Sequence, residues 1–175
     1  MPATVTTRVL ATGDAGIMDT LSAMASLIQQ GVNDPVVMNT ARQLATGSGP
    51  ALDQFTTAQR IKAWMMQHWR YVDDPMTTEH LEDARYLLER YQALSYIPGD
   101  CDEAAILGAT LGLAVGLAPY LTVLAFGGTG SAQTDPYSHV FAILLTDRGQ
   151  RVSLDVTKPS GPVAPVSRAL TVSVT

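Results

Sequence analysis

The sequence predicts an α+β fold, with a helical N-terminal half and a central helix packed on an antiparallel sheet. Three observations predict it. Up to residue 116 the apolar residues recur at three- and four-residue spacing, the period of a helix face. After Pro119 the period falls towards two, and turn residues separate short apolar runs. Between the two regimes lies Ile97-Pro98-Gly99-Asp100-Cys101-Asp102-Glu103-Ala104, where a loop gives way to a helix that carries the single cysteine. Helices first and consecutive strands later is the order of an α+β chain rather than of repeated βαβ units.

Taken in order, residues 3–10 alternate loosely and suggest a short strand or ordered arm. Gly13-Asp14-Ala15-Gly16 reads as a turn, and Asp19-Thr20 as the cap of a helix with Leu21, Met24, Ala25, Leu27 and Ile28 on its apolar face. Gly31 to Pro35 ends it, and a second helix over about 35–46 turns Val37, Met38, Ala41 and Leu44 inward. Gly47-Ser48-Gly49-Pro50 is a linker. A third helix over about 53–70 carries Phe55, Ala58, Ile61, Trp64, Met65 and His68 at helical spacing, and a shorter one over about 79–91 carries Leu81, Ala84, Leu87, Leu88 and Tyr91.

The central helix is expected over about 101–116, with Asp100 as N-cap and Glu103 closing a capping box. Gly108, Gly112 and Gly116 leave one of its faces bare, so a strand or helix can approach closely. Tyr120 to Phe126, His139 to Leu145 and Gln150 to Thr157 read as strands, with a turn at Thr146-Asp147-Arg148-Gly149. Three prolines make residues 158–167 an irregular excursion before a last strand over Leu170 to Val174.

The 175 residues suit one domain, here 1–50 for the N-terminal strand and helices, 51–160 for the core and 161–175 for a C-terminal extension. A net charge of −5 without a basic run argues against nucleic acid or an anionic membrane as partner. One cysteine permits no intrachain disulfide and suits a reducing compartment. Met1 to Arg8 lacks a signal-peptide pattern, so secretion by that route is not expected. Ala104 to Gly128 is uncharged and long enough to span a bilayer, but Gly116 and Pro119 divide it into a helix and an extended piece.

Cys101 falls on the first turn of its helix, where unpaired N–H groups and the dipole favour a thiolate, the form that attacks a carbonyl. Asp100, Asp102 and Glu103 oppose that effect unless they are tied up in the cap. A catalytic thiol needs a base, and the base needs an orienting partner. His68 shares an apolar helix face and His80 lies in a capping region, whereas His139 opens a strand directly after a polar loop. Asp155 is an acid inside a strand-forming run, where aspartate is disfavoured.

The hairpin turn decides whether these two meet. A two-residue turn centred on Arg148-Gly149 sets His139 opposite Lys158 and points Asp155 to the other face. A type I turn at Asp147-Arg148 with Gly149 in a left-handed bulge sets His139 opposite Thr157 and Asp155 diagonally beside it on the same face. Thr-Asp-Arg-Gly suits the bulged turn.

Gly99-Asp100-Cys101, then an apolar helix, then Ser138-His139-Val140, then Leu154-Asp155-Val156-Thr157 resembles the transglutaminase-like superfamily. Ile61-Lys62-Ala63-Trp64 to Tyr71-Val72-Asp73-Asp74-Pro75 resembles that family's helix and following tyrosine. The Gly-Asp-Cys-Asp-acid run, the Thr20-Leu21 to Met24 helix and Asp34-Pro35-Val36 are closest to a subgroup found in tailed phages and prophages. The resemblance implies a papain-like core with Cys101 as nucleophile, His139 as base then acid, and Asp155 as orienter. It implies acyl transfer on an amide through a thioester, to an amine (transglutaminase) or to water (peptidase or amidase). The oxyanion would be held by the N–H of Cys101 and a second donor, for which Tyr71, Trp64 and Gln67 are the candidates.

A protein or peptide substrate is expected, with other phage structural proteins as further partners and with host cytoplasm or virion as location. No cofactor or metal is expected. A zinc site from Cys101, His139 and Asp155 and a calcium site from Asp100, Asp102 and Glu103 are the alternatives, and three acids at a helix start are ordinarily a cap. The alternative from another class is an assembly protein that keeps the fold without turnover and docks through its terminal strands, 3–10 and 170–174.

Overall fold

In the computed structural model, residues 5–7, 13–47, 53–73, 80–127, 135–157 and 165–175 are described. The expectations for the rest of the 3–10 arm, Ser48 to Pro50, Asp74-Pro75, the loop 128–134 and the segment 158–164 lie outside them. The fold is α+β, with helices in the N-terminal half and an antiparallel sheet after them.

Strand β1 (Val5–Thr7) is followed by helices α1 (Gly13–Gly31), α2 (Pro35–Thr46) and α3 (Gln54–His68). Helix α2 matches its expected span, with Asp34 as N-cap and Pro35 in its first turn. Helix α1 starts six residues before the expected Asp19-Thr20 cap, so the predicted turn at residues 13–16 is its first turn. Asp14 there favours the helix dipole and forms an ion pair with Arg168, 154 residues away, a partner that local spacing cannot reveal.

Strands β2 (Trp69–Tyr71) and β3 (His80–Glu82) precede helix α4 (Ala84–Leu94), and strand β4 (Ile97–Gly99) leads into helix α5 (Cys101–Ala114). Residues 80–82 were expected to open a helix and instead pair antiparallel with β1, His80 opposite Thr7. The helix begins behind Asp83, whose carboxylate accepts the Tyr86 N–H at 2.8 Å. Parallel pairing of β2 with β4 places Tyr71 beside Gly99, and the Val72 N–H donates to the Gly99 carbonyl at 3.0 Å. This pairing fastens the end of α3 to the cysteine turn.

Helix α5 is the centre of the molecule. Residues 103–112 are all buried, as expected of a helix apolar on every side. It packs against α1, α2, α3 and α4, and against strands β5 (Ala118–Phe126) and β6 (Tyr137–Leu145). The bare face explains the fit to the sheet. A Cβ on Gly112 would stand 2.3 Å from Leu144 Cδ2, and one on Gly108 would stand 2.6 Å from Leu154 Cδ1. Gly116 serves differently, ending the helix at a φ of +82° with nothing near its missing side chain.

Strands β7 (Arg151–Ser153) and β8 (Val166–Ser173) complete a four-stranded sheet in the order β7-β6-β5-β8. Its inner face presents Leu121, Val123, Val140, Ala142, Leu144 and Val152, all buried. Strand β7 is shorter than the expected 150–157: Leu154 keeps one bond to Ala142, and residues 155–157 leave the ladder. The long uncharged run divides between α5 and β5, and among the described residues no helix is long and apolar enough to cross a membrane.

Candidate active site

The turn at residues 146–149 sets the first pair. Gly149 sits at a φ of +76°, and the Gly149 N–H donates to Thr146 O at 3.0 Å while the Thr146 N–H donates to Gln150 O at 2.9 Å. This is the bulged turn, and it pairs Ile143 with Ser153. Continued along the strands, that register sets His139 opposite Thr157 and Asp155 one step diagonal to it. The two side chains meet there: His139 Nε2 lies 3.0 Å from Asp155 Oδ1, both side chains 12% exposed. The His139 ring also stacks on Phe141, at 6.0 Å between centroids, and lies near Phe126.

The sulfur approaches from the helix. Asp100 caps α5, its carboxylate accepting the Asp102 N–H at 2.9 Å, and Glu103 Oε2 accepts the Asp100 N–H at 3.0 Å to complete the capping box. Two of the three acids are thus tied to the helix start. The third is not turned away: Asp102 Oδ1 lies 3.7 Å from Cys101 Sγ. The sulfur also accepts a hydrogen bond from the Val140 N–H.

That amide explains where the thiol stands. The Leu154 N–H donates to Ala142 O at 2.8 Å, so the backbone groups of Ala142 face β7. Backbone direction repeats every two residues, so Val140 faces the same way. By then residues 155–157 have left the ladder, and the Val140 N–H donates to sulfur instead. Alternation turns His139 and Phe141 to the sheet face opposite the body of α5, because Val140, Ala142 and Leu144 face the helix. Cys101 comes to β6 at Val140, the residue that follows His139 along the strand.

Electrostatics differ from the expectation of a thiolate. Burial pushes the Cys101 thiol well above its ordinary value, and the Asp102 carboxylate adds to that, against the opposing hydrogen bond from Val140. Burial also pushes the Glu103 carboxyl up to about 9, with the charge of Asp100 as the next cause. Glu103 is 2% exposed, and among the described residues its Oε1 has no hydrogen-bond partner. Its neighbour across Gly99 is Trp69, whose buried Nε1 likewise has no partner among the described residues.

The remaining candidates divide. Tyr71 is brought to the cysteine turn: burial raises its phenol first, then a hydrogen bond with Asp73, and the charges of Cys101 and Asp100 contribute. Trp64 stands in a different place, its ring 5.1 Å from Tyr91 and 5.4 Å from His68. It lines a groove of about 410 Å³ with Leu44, Leu88 and Tyr91, to which the cysteine turn contributes nothing. Gln67 is exposed on α3. His68 is held by Trp64 and Tyr91, as its place on an apolar helix face suggested.

Ligand atoms of Asp100, Cys101 and Asp102 fall within 4.8 Å of one another. Asp100 is committed to the cap, and the group reads as a capped helix start with one acid on the thiol. Two features escaped the sequence. The Val140 amide could be found only from the early end of β7. The turning of Asp102 toward sulfur depends on a side-chain rotamer that spacing does not set.

Fold and site together define an α+β chain whose single cysteine begins a buried helix at the edge of a sheet bearing a hydrogen-bonded His–Asp pair. No family model matches the chain, and no curated protein matches it. Among solved structures it is similar to a protein of Parabacteroides distasonis ATCC 8503 described as a "putative protease", with a TM-score of 0.57 at 15% identity. The match covers 89% of this chain and 29% of that one, so the chain spans less than a third of the length of that protein. At this identity the likeness is one of fold.

Proposed function

We propose that the chain is a cysteine-dependent acyl-transfer enzyme that acts on the amide of a protein or peptide through a thioester at Cys101. The observation that carries this reading is the 3.0 Å His139–Asp155 contact beside a sulfur that accepts the Val140 N–H. An ionised carboxylate is an acceptor only, so the proton of that contact belongs to Nε2 and the lone pair to Nδ1. His139 is then a base whose tautomer Asp155 sets.

The thiol is held neutral at rest, so its proton is removed as attack begins rather than beforehand. The S–H proton passes to His139 Nδ1 while sulfur bonds to the amide carbon. The oxyanion is held by the Cys101 N–H at the helix start, with the Tyr71 hydroxyl, once turned from Asp73 to the oxyanion, as second donor. The C–N bond then breaks, the amine leaves with the proton from His139, and a thioester remains. Water or a second amine attacks it with His139 again as base, restoring the thiol. The fold likeness to a "putative protease" supports water as acceptor. The sequence resemblance to the transglutaminase-like superfamily supports either.

Incubation with a panel of glutamine-containing and other amide peptides, followed by intact-mass spectrometry, tests this. The expected result is a mass increase equal to the acyl group, mapped to Cys101 and absent from Cys101→Ala. A thiol that is open to alkylation yet takes no acyl group from any peptide overturns it. That outcome favours a second reading, supported by the position of β8 at the end of the sheet. An assembly protein, of the phage type the sequence resembles, would use such an edge to add a strand of its neighbour.

A further inference from the structure

We propose that Asp102 is a positioning residue that holds the resting Cys101 as a neutral, hydrogen-bonded thiol and so governs the pH at which it reacts. The proposal rests on Cys101 being the nucleophile, and it adds an off-state to that role. Three observations carry it. Asp102 Oδ1 lies 3.7 Å from Sγ, within reach of a thiol donor. Asp100 and Glu103 take part in the capping box, and Asp102 supplies the carboxylate oxygen that accepts from the thiol. The Val140 N–H approaches sulfur as a donor.

Sulfur therefore sits in a relay, N–H to S and S–H to carboxylate. The relay suits a thiol better than a thiolate, because a thiolate would keep the amide but face the carboxylate as a like charge. The other titratable groups around the sulfur are Asp100 on α5, Glu103 held neutral by burial, Tyr71 from β2, and the His139–Asp155 pair from the sheet side. Asp100 adds a smaller push in the same direction as Asp102. No covalent step is involved: the proton stays on sulfur until His139 removes it.

The arrangement gives Asp102→Asn an unusual sign. Removing an acid beside a nucleophile should make it more reactive. Each unit by which the thiol's pKa falls increases the thiolate tenfold at a pH below it, while the weaker nucleophilicity of a more acidic thiol returns a factor of about three. The alkylation rate near pH 7 should then rise about threefold per unit.

The experiment is the pH–rate profile of iodoacetamide alkylation of the full chain, read by mass spectrometry at Cys101, in wild type, Asp102→Asn, Asp102→Ser and Asp100→Asn. The expected result is an inflection shifted to lower pH, by more than one unit, in both Asp102 variants, with a smaller shift in Asp100→Asn, where asparagine still caps the helix. Should neither Asp102 variant fold, the S–H infrared band of the wild type decides. A band at neutral pH lowered in frequency by hydrogen bonding supports the proposal, and no S–H band overturns it. An inflection unchanged or raised in both folded Asp102 variants also overturns it. A downward shift in a protein that forms no acyl adduct keeps the control by Asp102 and removes the enzyme reading.

Discussion

The two ends of helix α5 obey different physics. At the middle and C-terminal end, Gly108 and Gly112 are bare so that Leu154 and Leu144 can reach the helix backbone. Contact there is a matter of volume. At the N-terminal end, within one turn, stand a cap, a buried neutral carboxyl, a thiol and an acid facing it. Contact there is a matter of protons. The comparison teaches that the same sheet serves both ends: Leu144 on β6 locks the helix, and four residues earlier the Val140 amide receives the sulfur.

Substitutions should separate the two. Cys101→Ala should abolish adduct formation entirely while leaving thermal unfolding close to wild type, since a small half-buried thiol contributes little packing. An unfolding temperature that falls as far as the activity would break the comparison. Gly112→Val should do the reverse. Overpacking of this kind costs about 1–3 kcal/mol. Denaturant unfolding should show that loss, while alkylation of Cys101 per folded molecule stays unchanged; an unaltered stability would mean that the helix and β6 are not in close contact.

Glu103 sharpens the boundary between the two regimes. Its carboxyl is raised to about 9 in the folded chain against 4.5 as a free group. The unfolded chain therefore releases its proton first, and stability should decline as pH rises from about 4.5 towards 9. Below that window both states are protonated and the effect vanishes. Glu103→Gln should flatten this part of the stability–pH curve, read by denaturant midpoints at several pH values. A curve that keeps its slope would place the titrating group elsewhere. The smallest effect is expected at Gly149, whose φ of +76° disfavours a side chain. Gly149→Ala should cost about 1–2 kcal/mol, and a hairpin that accommodates it without loss would contradict the bulged register.

Much of this was legible in the chain. Thr146-Asp147-Arg148-Gly149 is a local signal, and because pleat parity is strict it carries as far as His139 and Asp155. The capping box and α2 were equally local. What escaped was long-range. The start of α1 answers to Arg168 on the last strand. Residues 80–82 follow Leu81 into a strand because β1 is there to pair with them. Helical spacing placed Trp64 on a face of α3 but could not say that this face meets Tyr91 rather than the cysteine turn. A negative flank and a helix dipole push a thiol in opposite directions, and only burial and rotamer, both tertiary, decide between them.

The central claim is that the Cys101 sulfur and the His139 imidazole meet at β6, with Asp155 holding the far nitrogen. Nitrogen-15 NMR of the His139 ring before and after alkylation of Cys101 tests it most directly. The account predicts that Nε2 keeps its proton and its bond to Asp155 while the Nδ1 resonance moves when sulfur is capped. Two ring nitrogens that do not respond to alkylation would contradict it.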